Sequence, residues 1–195
     1  NQAIVRNVPL VKDTFTMVEL LNFIGLQTRI IKKKHTIEIK NTDKNINTLA
    51  PYKLVKTMRA GVLVLGSMLA KYRKAKVSLP GGCAIGSRPV DLHLFALKKL
   101  GAKIKIKDGY ILAEAKNGLK GAKIKFPTIS VGATENALIA AFKAKGTTIL
   151  KNCAIEPEIK DLIIFLKKLG LNIISKGRTI IVNESKINNS KIIHE

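Results

Sequence analysis

Aromatic residues are scarce in this sequence. Phe, Tyr and Trp together make up 5% of the 195 residues, and Trp is absent. A hydrophobic core must therefore be built mainly from Ile, Leu, Val and Ala, and hydrophobic residues are frequent enough for that at 46%. Proteins that bind single-stranded nucleic acids stack the bases on aromatic side chains. The shortage of aromatic residues therefore argues against that class of protein.

Cysteines and long apolar runs are also few. Cys83 and Cys153 are the two cysteines, and they provide neither a disulfide framework nor the ligand spacing of a metal site. No segment reaches the roughly 20 consecutive apolar residues that a membrane span needs. The most apolar run, 60–70, is interrupted by Gly66 and Ser67. We therefore expect a protein of the reducing cytoplasm, with no membrane partner.

Acidic residues are outnumbered. The sequence contains 13 Asp and Glu and 35 Lys and Arg, which gives a formal net charge of +22. Such an excess is typical of nucleic-acid-binding proteins. Here it is almost entirely Lys, spread along the chain instead of gathered in one basic tract. We interpret it as solvated faces with a general attraction for anions. The alternative, a basic scaffold that binds nucleic acid, would show steeply salt-dependent binding.

A repeated pattern organises the sequence. Three segments each contain a short strand, a polar turn, an amphipathic helix that ends in Gly, and two further strands. The helix ends are Gly25, Gly101 and Gly170, where a left-handed cap is expected. Asp108-Gly109 and Lys176-Gly177 predict tight hairpins between the paired strands.

Two further helices are predicted between the repeats, at 52–72 and 133–143. Both are apolar almost all round, and a helix without a polar face is buried. Full repeats span about 41–115 and 116–185, whereas the first repeat lacks its opening strand and its buried helix. The sequence therefore predicts an α/β domain with central helices surrounded by sheet. It also predicts that the intact domain has another buried helix before residue 1.

The segment from Leu79 to His93 carries the most informative chemistry. Three glycines and a proline surround Cys83, which is typical of a flexible loop after a strand. Arg88 and the N-terminus of the following helix favour the thiolate form of this cysteine. The same groups suit a bound phosphate or diphosphate. From the residues alone, a glycine-rich turn with an incidental thiol is an equally good interpretation.

Residues 80–93 closely resemble the reactive-cysteine loop of the UDP-N-acetylglucosamine enolpyruvyl transferases, or 1-carboxyvinyltransferases. Residues 50–60, 130–136 and 156–159 match further motifs of that family in the same order, so the resemblance covers essentially the whole chain. It implies the family's fold of two domains, each an inside-out α/β barrel of three βαβαββ repeats. Residues 1–195 would form a single domain, the nucleotide-sugar side, with a truncated first repeat. The second domain would be absent.

The resemblance also implies an activity. Enolpyruvyl transferases of this family move the enolpyruvyl group of phosphoenolpyruvate to the 3-hydroxyl of UDP-N-acetylglucosamine and release phosphate, without a metal or organic cofactor. This is the first committed step of peptidoglycan synthesis. Cys83 would protonate the methylene carbon of phosphoenolpyruvate, and it would be the thiol that fosfomycin alkylates in sensitive members. The implied substrate-binding residues are Arg59, Arg88, Pro89, Val90, Asp91, Leu92, Thr128, Ile129, Ser130 and Val131.

The sequence departs from the family in several places. Thr128 stands where some members carry Lys, and the Lys-Asn pair that grips phosphoenolpyruvate has no counterpart. The second domain would supply the base and further phosphate-binding arginines, so we expect this chain alone to be inactive. The sister transferases that act on shikimate 3-phosphate are the nearest alternative. They share the fold but lack the reactive-cysteine loop.

Five other polar or reactive residues have simpler interpretations. Cys153 is predicted to be a small buried residue, and His35 and His194 are predicted to be surface imidazoles. Glu156 and Glu158 are expected to cap the helix that begins near them. His93, two residues after Asp91, is a candidate substrate contact.

Overall fold

Three four-stranded sheets and six α-helices make up the structure, a computed structural model that describes residues 2–42, 46–81, 90–185 and 191–195. The helices are α1 (Lys12–Ile24), α2 (Tyr52–Val55), α3 (Val64–Tyr72), α4 (Asp91–Lys99), α5 (Val131–Ala141) and α6 (Pro157–Lys168), with 3-10 turns at Lys32–Lys34 and Arg59–Leu63. The strands are β1 (Gln2–Val5), β2 (Gln27–Ile31), β3 (Thr36–Lys40), β4 (Leu49–Ala50), β5 (Lys74–Ser78), β6 (Lys103–Lys107), β7 (Tyr110–Glu114), β8 (Lys123–Lys125), β9 (Thr148–Lys151), β10 (Asn172–Lys176), β11 (Thr179–Asn183) and β12 (Ile192–His194).

Two of the sheets have the same topology. Their strand orders are β4-β5-β7-β6 and β8-β9-β11-β10. In each, the first pair of strands is parallel and the remaining pairs are antiparallel. A helix connects the parallel strands, a second helix follows, and a hairpin closes the unit. The repeat predicted from the sequence is confirmed in these two units.

The third sheet is completed from the other end of the chain. Its order is β12-β1-β3-β2, and β12 pairs in parallel with β1, placing Ile4 opposite Ile193. The first repeat was expected to lack an opening strand, and within its own stretch of sequence it does. In the fold, however, β12 takes that position. Pairing between strands so distant in sequence depends on the tertiary structure, and the local pattern carries no signal for it.

The predicted turns and caps are present. Gly101 and Gly170 have φ of 96° and 99°, and each follows a helix as its left-handed cap. Gly25 does the same after α1, with φ of 107°. Asp108 and Gly109 both have positive φ, 50° and 75°, which is the geometry of a tight I′ hairpin.

The predicted helix at 52–72 is interrupted. α2 ends at Val55, and the backbone is extended at Met58 before the 3-10 turn begins. Met58 is buried in the core, and Gly61 lies so close to Val55 that an added Cβ would be 3.3 Å from the Val55 Cα. A continuous helix could not bring these residues together. The apolar pattern therefore predicted correctly that this segment is buried, but the prediction of one continuous helix was wrong.

α3 and α5 lie in the core, to which they contribute the fully buried side chains Leu65, Leu69 and Leu138. α1, α4 and α6 each bury one face and expose the other. The described strands form three separate sheets instead of one continuous barrel. Every lysine in the described ranges is exposed, which agrees with the interpretation of the positive charge as solvated faces. No helix in those ranges is long and apolar enough to cross a bilayer.

Replacing Gly66 with Ala is expected to destabilise the fold. An added Cβ would lie 2.7 Å from the backbone oxygen of Asn136, so α3 and α5 would have to separate. We expect the free energy of unfolding, measured by urea denaturation, to fall by about 1–3 kcal/mol. Ser67→Ala, at an exposed position of the same helix, is the control and should change it by less than about 0.5 kcal/mol. Equal stability of G66A and the unmodified chain would contradict the close approach of the two helices.

Candidate functional site

A cavity of about 940 Å³ opens where the first residues of α4 and α5 meet the 3-10 turn Arg59–Leu63. Residues 128–130, which lead into α5, form part of its wall, and Pro80 lies on the wall after β5. The N-terminus of a helix carries unpaired N–H groups and the positive end of the helix dipole. Two such ends at one cavity favour a negatively charged ligand.

The structure places eight of the predicted binding residues on the wall of this cavity. They come from three separate stretches of sequence and lie together only in the folded chain. The eight residues are Arg59, Val90, Asp91, Leu92, Thr128, Ile129, Ser130 and Val131. The predicted catalytic Cys83 and the predicted contacts Arg88 and Pro89 lie outside the described residues, so their roles stay predictions.

Ser130 fixes the start of α5. Its backbone is extended, and its Oγ accepts a hydrogen bond from the N–H of Ala133 at 3.3 Å. The hydroxyl of Thr134 donates to the carbonyl of Ser130 at 2.7 Å and accepts from the N–H of Ala154 at 3.1 Å. These hydrogen bonds connect the first turn of α5 to the segment before α6. The cavity wall at Ser130 is therefore stabilised both by α5 itself and by that segment.

His93 is the most deeply buried polar group on the cavity wall. It is 8% exposed, and its Nδ1 lies 3.0 Å from the Nδ2 of Asn136 on α5. Asn136 Nδ2 also donates to the carbonyl oxygen of Val62 at 3.2 Å. Burial lowers the pKa of His93 from 6.5 to about 4, so the imidazole is neutral at physiological pH.

One part of the wall is acidic. Glu135 of α5 and Glu158 of α6 both line the cavity. Burial raises the pKa of Glu135, and the nearby Glu158 carboxylate raises it further. An anionic ligand is therefore favoured nearer Arg59 and the two helix N-termini than beside α6. Glu135 lies within the matched motif 130–136 but was not predicted as a site residue, although a carboxylate on an otherwise apolar buried helix is itself an unusual feature.

Glu156 differs from its expected role as a helix cap, whereas Glu158 lies at the start of the helix as expected. Glu156 occupies the N-cap position of α6, but its carboxylate accepts from the N–H of Ile155 at 2.7 Å and makes no hydrogen bond to the helix. Glu158 lies in the first turn, where its charge suits the helix dipole. Its position on the cavity wall results from the packing of α6 beside α5.

Cys153 is buried as expected. It is 0% exposed, and burial raises the pKa of its thiol to about 11. Its backbone N–H donates to the carbonyl of Arg178 at 3.0 Å, and an Arg178 guanidinium nitrogen donates to the Cys153 carbonyl. A protonated, inaccessible thiol is unreactive.

A second, smaller groove of about 320 Å³ lies between β1, α5 and α6. His194 forms part of it, with its Nε2 3.0 Å from the Asp161 carboxylate and its ring edge-on to Phe165 at 5.2 Å between centroids. The prediction of a surface imidazole was wrong for His194, which is 8% exposed, because β12 carries it against α6. His35 is exposed, as predicted.

Within the described ranges, no group of three or more His, Cys, Asp or Glu side chains could hold a metal ion. The described residues of the cavity wall offer the Arg59 guanidinium, a neutral imidazole, the carboxylates of Asp91, Glu135 and Glu158, and two helix N-termini.

Comparisons with known proteins relate the chain to a group of transferases. A family model for EPSP synthase (3-phosphoshikimate 1-carboxyvinyltransferase) matches residues 1–193. The chain is 63% identical over 167 residues to the UDP-N-acetylglucosamine 1-carboxyvinyltransferase of Pelagibacter ubique, a match covering 86% of this chain and 39% of that protein. It is 49% identical over 187 residues to the enzyme of that name from Rickettsia prowazekii, covering 95% and 45%. The chain thus spans less than half the length of these relatives.

Solved structures share the fold. The enolpyruvyl transferase NikO from Streptomyces tendae superposes with a TM-score of 0.80 at 16% identity, covering 98% of this chain and 45% of that one. An EPSP synthase from Acinetobacter baumannii gives 0.77 at 17% identity, covering 100% and 44%. At such identities the likeness concerns the fold alone. The match over residues 1–193 shows that the chain belongs to the EPSP synthase family, and it is similar over most of its length to curated UDP-N-acetylglucosamine 1-carboxyvinyltransferases.

Proposed function

We propose that the protein to which this chain belongs transfers the enolpyruvyl group of phosphoenolpyruvate to the 3-hydroxyl of UDP-N-acetylglucosamine and releases phosphate. The observation that carries the proposal is the meeting of eight predicted nucleotide-sugar contacts on one cavity wall. The identities of 63% and 49% to enzymes with this substrate in their names support it. The protein would then act in the cytoplasm, in peptidoglycan synthesis.

The cavity suits a ligand with a diphosphate. Its volume of about 940 Å³ lies within the roughly 300–1,000 Å³ typical of small-molecule sites. Arg59 offers planar, charge-assisted hydrogen bonds to phosphate oxygens, and the first turns of α4 and α5 offer backbone N–H groups. In this proposal the uridine lies along Thr128–Val131, and residues 88–92 hold the remainder of the nucleotide sugar.

The proposed reaction is an addition followed by an elimination. The sugar 3-hydroxyl oxygen bonds to the enol carbon of phosphoenolpyruvate, a base takes the hydroxyl proton, and the thiol of Cys83 delivers a proton to the methylene carbon. The tetrahedral adduct then loses a proton from the new methyl group and expels phosphate, which re-forms the carbon–carbon double bond and gives the enol ether of the sugar. Cys83 is the thiol that fosfomycin would alkylate.

The remaining parts of the site would come from other parts of the protein. We propose that a second domain supplies the base and further phosphate-binding arginines. The groove beside β1 is lined by five apolar side chains and by Glu135, Glu158, Asp161 and His194. A third buried helix would cover its apolar part, which consists of Val5, Leu63, Ile139, Leu162 and Phe165. α3 and α5 hold this central position in the other two units, so the internal repeat supports a helix there.

A shikimate 3-phosphate transferase is the nearest alternative. The matching family model carries that enzyme's name, and the fold is common to both activities. The chain, however, is 17% identical to an EPSP synthase of solved structure and 63% identical to a UDP-N-acetylglucosamine transferase. The sequence likeness therefore favours the nucleotide sugar.

Arg59→Ala is expected to weaken the binding of UDP-N-acetylglucosamine by about tenfold or more, because a hydrogen bond to a charged group contributes about 1.5–3 kcal/mol. Isothermal titration calorimetry measures the affinity. Arg29→Ala, an exposed arginine in β2 away from the cavity, is the matched control and should bind as the unmodified chain does. Shikimate 3-phosphate and a short oligonucleotide serve as comparators. Binding of the oligonucleotide alone would contradict the proposed substrate.

Iodoacetamide at neutral pH is expected to alkylate Cys83 and leave Cys153 unmodified until the chain is unfolded. The thiol of Cys153 is inaccessible, and burial raises its pKa to about 11. Peptide mass spectrometry identifies the labelled cysteine, and Cys153→Ala should label like the unmodified chain. Modification of Cys153 before Cys83 in the folded chain would count against Cys83 as the reactive thiol.

The 195-residue chain alone is expected to release no phosphate above background from phosphoenolpyruvate and UDP-N-acetylglucosamine, because the proposed base lies elsewhere. Addition of the remaining part of the protein should restore turnover. A colorimetric phosphate assay measures both reactions, with Cys83→Ser as the control that abolishes the restored activity. Turnover by the chain alone would show that its own residues complete the site.

A further inference from the structure

Strand β10 is an open edge of its sheet. It is the last strand in the order β8-β9-β11-β10, and within the described part of the chain its backbone pairs with β11 alone. Four of its five residues are exposed. The unpaired N–H and C=O groups of an edge strand can pair with a strand of another chain.

A bridging hydroxyl shows which peptide groups of β10 face outward. Ser185 Oγ donates to the carbonyl oxygen of Asn183 at 2.8 Å and accepts from the N–H of Asn172 at 3.0 Å. The N–H of Asn172 therefore points toward β11. Because peptide groups alternate in direction along a strand, the N–H and C=O groups of Ile173 and Ser175 point to the open edge.

The corresponding edge of the second sheet is protected by charge, whereas β10 is not. β6 holds the same end position in a sheet of the same topology, and it carries three exposed lysines, Lys103, Lys105 and Lys107. Lysines on an edge strand hinder pairing with another strand. At the centre of β10 lies Ile174, which is 54% exposed, and the strand has one lysine at its end.

Ile174 ends a row of isoleucines on the outer face of the sheet. The register places Ile149, Ile181 and Ile174 side by side across β9, β11 and β10. The first two are half-buried and the third is exposed. A strand added to β10 would place one side chain directly beside Ile174, at the short distance of a non-hydrogen-bonded pair. An apolar side chain there would continue the row.

The neighbouring row on the same face is basic. It consists of Lys125, Lys151, Thr179 and Lys176, and Lys123 begins the isoleucine row. Neither row contains an acidic side chain. A partner with an acidic residue beside Lys176 would be attracted to this face. A second copy of the chain, with its own net charge of +22, would be repelled.

We propose that the open edge of β10 binds an extended, acidic segment of another protein as an additional strand of the sheet. An apolar residue of that segment lies beside Ile174, and an Asp or Glu two positions away lies beside Lys176. Ile173 and Ser175 make the backbone hydrogen bonds, and the two rows select the side chains. None of these residues lines either cavity, so the inference goes beyond the proposed function and does not depend on it.

Fluorescence anisotropy of a labelled peptide with the repeated pattern Val-Thr-Glu-Thr tests the proposal on the 195-residue chain. Ile174→Glu places a carboxylate where the apolar contact is expected, so it should weaken binding by about tenfold or more. Ile164→Glu on α6 is the matched control, because Ile164 is 52% exposed and the change in charge is the same. Both variants should keep the thermal midpoint of the unmodified chain. Equal affinity of the two variants would overturn the proposal.

Hydrogen exchange and charge reversal test the backbone pairing and the basic row. The amides of Ile173 and Ser175 should exchange more slowly in the complex, because they donate to the added strand. Lys176→Glu should weaken binding of this peptide and favour one with the pattern Val-Thr-Lys-Thr. Lys103→Glu on β6 changes the net charge equally and should do neither. Binding without slower exchange of the two amides would contradict strand addition.

Sedimentation velocity distinguishes a second copy of the chain from the acidic partner. The unmodified chain should remain monomeric in low salt, where repulsion between like charges is strongest. Dimerisation that Ile174→Glu abolishes would show that a second copy occupies the edge, and it would overturn the acidic partner. Failure of the unmodified chain to bind the Val-Thr-Glu-Thr peptide would overturn it as well, and would leave the proposed function intact.

Discussion

The close approach of α3 and α5 is the constraint on which the rest of the structure depends. Gly66 lets the backbone of α3 lie directly against Asn136 of α5, and the apolar side chains around this contact form the core. The amide of Asn136 then reaches both Val62 and His93. Gly66 thus allows the close spacing of the two central helices, and at that spacing Asn136 supports His93 on the cavity wall.

The charge of the chain and the charge of the site differ in character. The net charge of +22 comes from lysines that lie on exposed faces, where water and salt screen them. The cavity instead combines Arg59, two helix N-termini and a neutral imidazole with the carboxylates of Asp91, Glu135 and Glu158. If the cavity binds an anion, as proposed, the specific contacts would come from these few fixed groups. The lysines contribute at most a general attraction.

The cavity is assembled from parts that are separate in sequence and bonded together in space. Thr134 connects the start of α5 to Ala154, and Asn136 connects α5 to the 3-10 turn and to α4. The parallel pairing of β12 with β1 brings His194 to Asp161 at the adjoining groove. The inner helix α5 takes part in the first two connections, so a shift of α5 would also move the 3-10 turn, the start of α4 and the segment before α6.

The amino-acid pattern alone determined the repeat, its glycine caps at residues 25, 101 and 170, and the burial of the inner helices, because these features depend on neighbouring residues. The resemblance of four motifs to a known family predicted the family, and it predicted as substrate-binding the eight residues that lie together on the cavity wall. Only the tertiary structure decided four other features. These are the break near Met58, the completion of the first sheet by β12, the burial of His194 and the acidic part of the cavity wall at Glu135. Each of these arises from contacts between segments far apart in sequence, and such contacts leave no local periodicity.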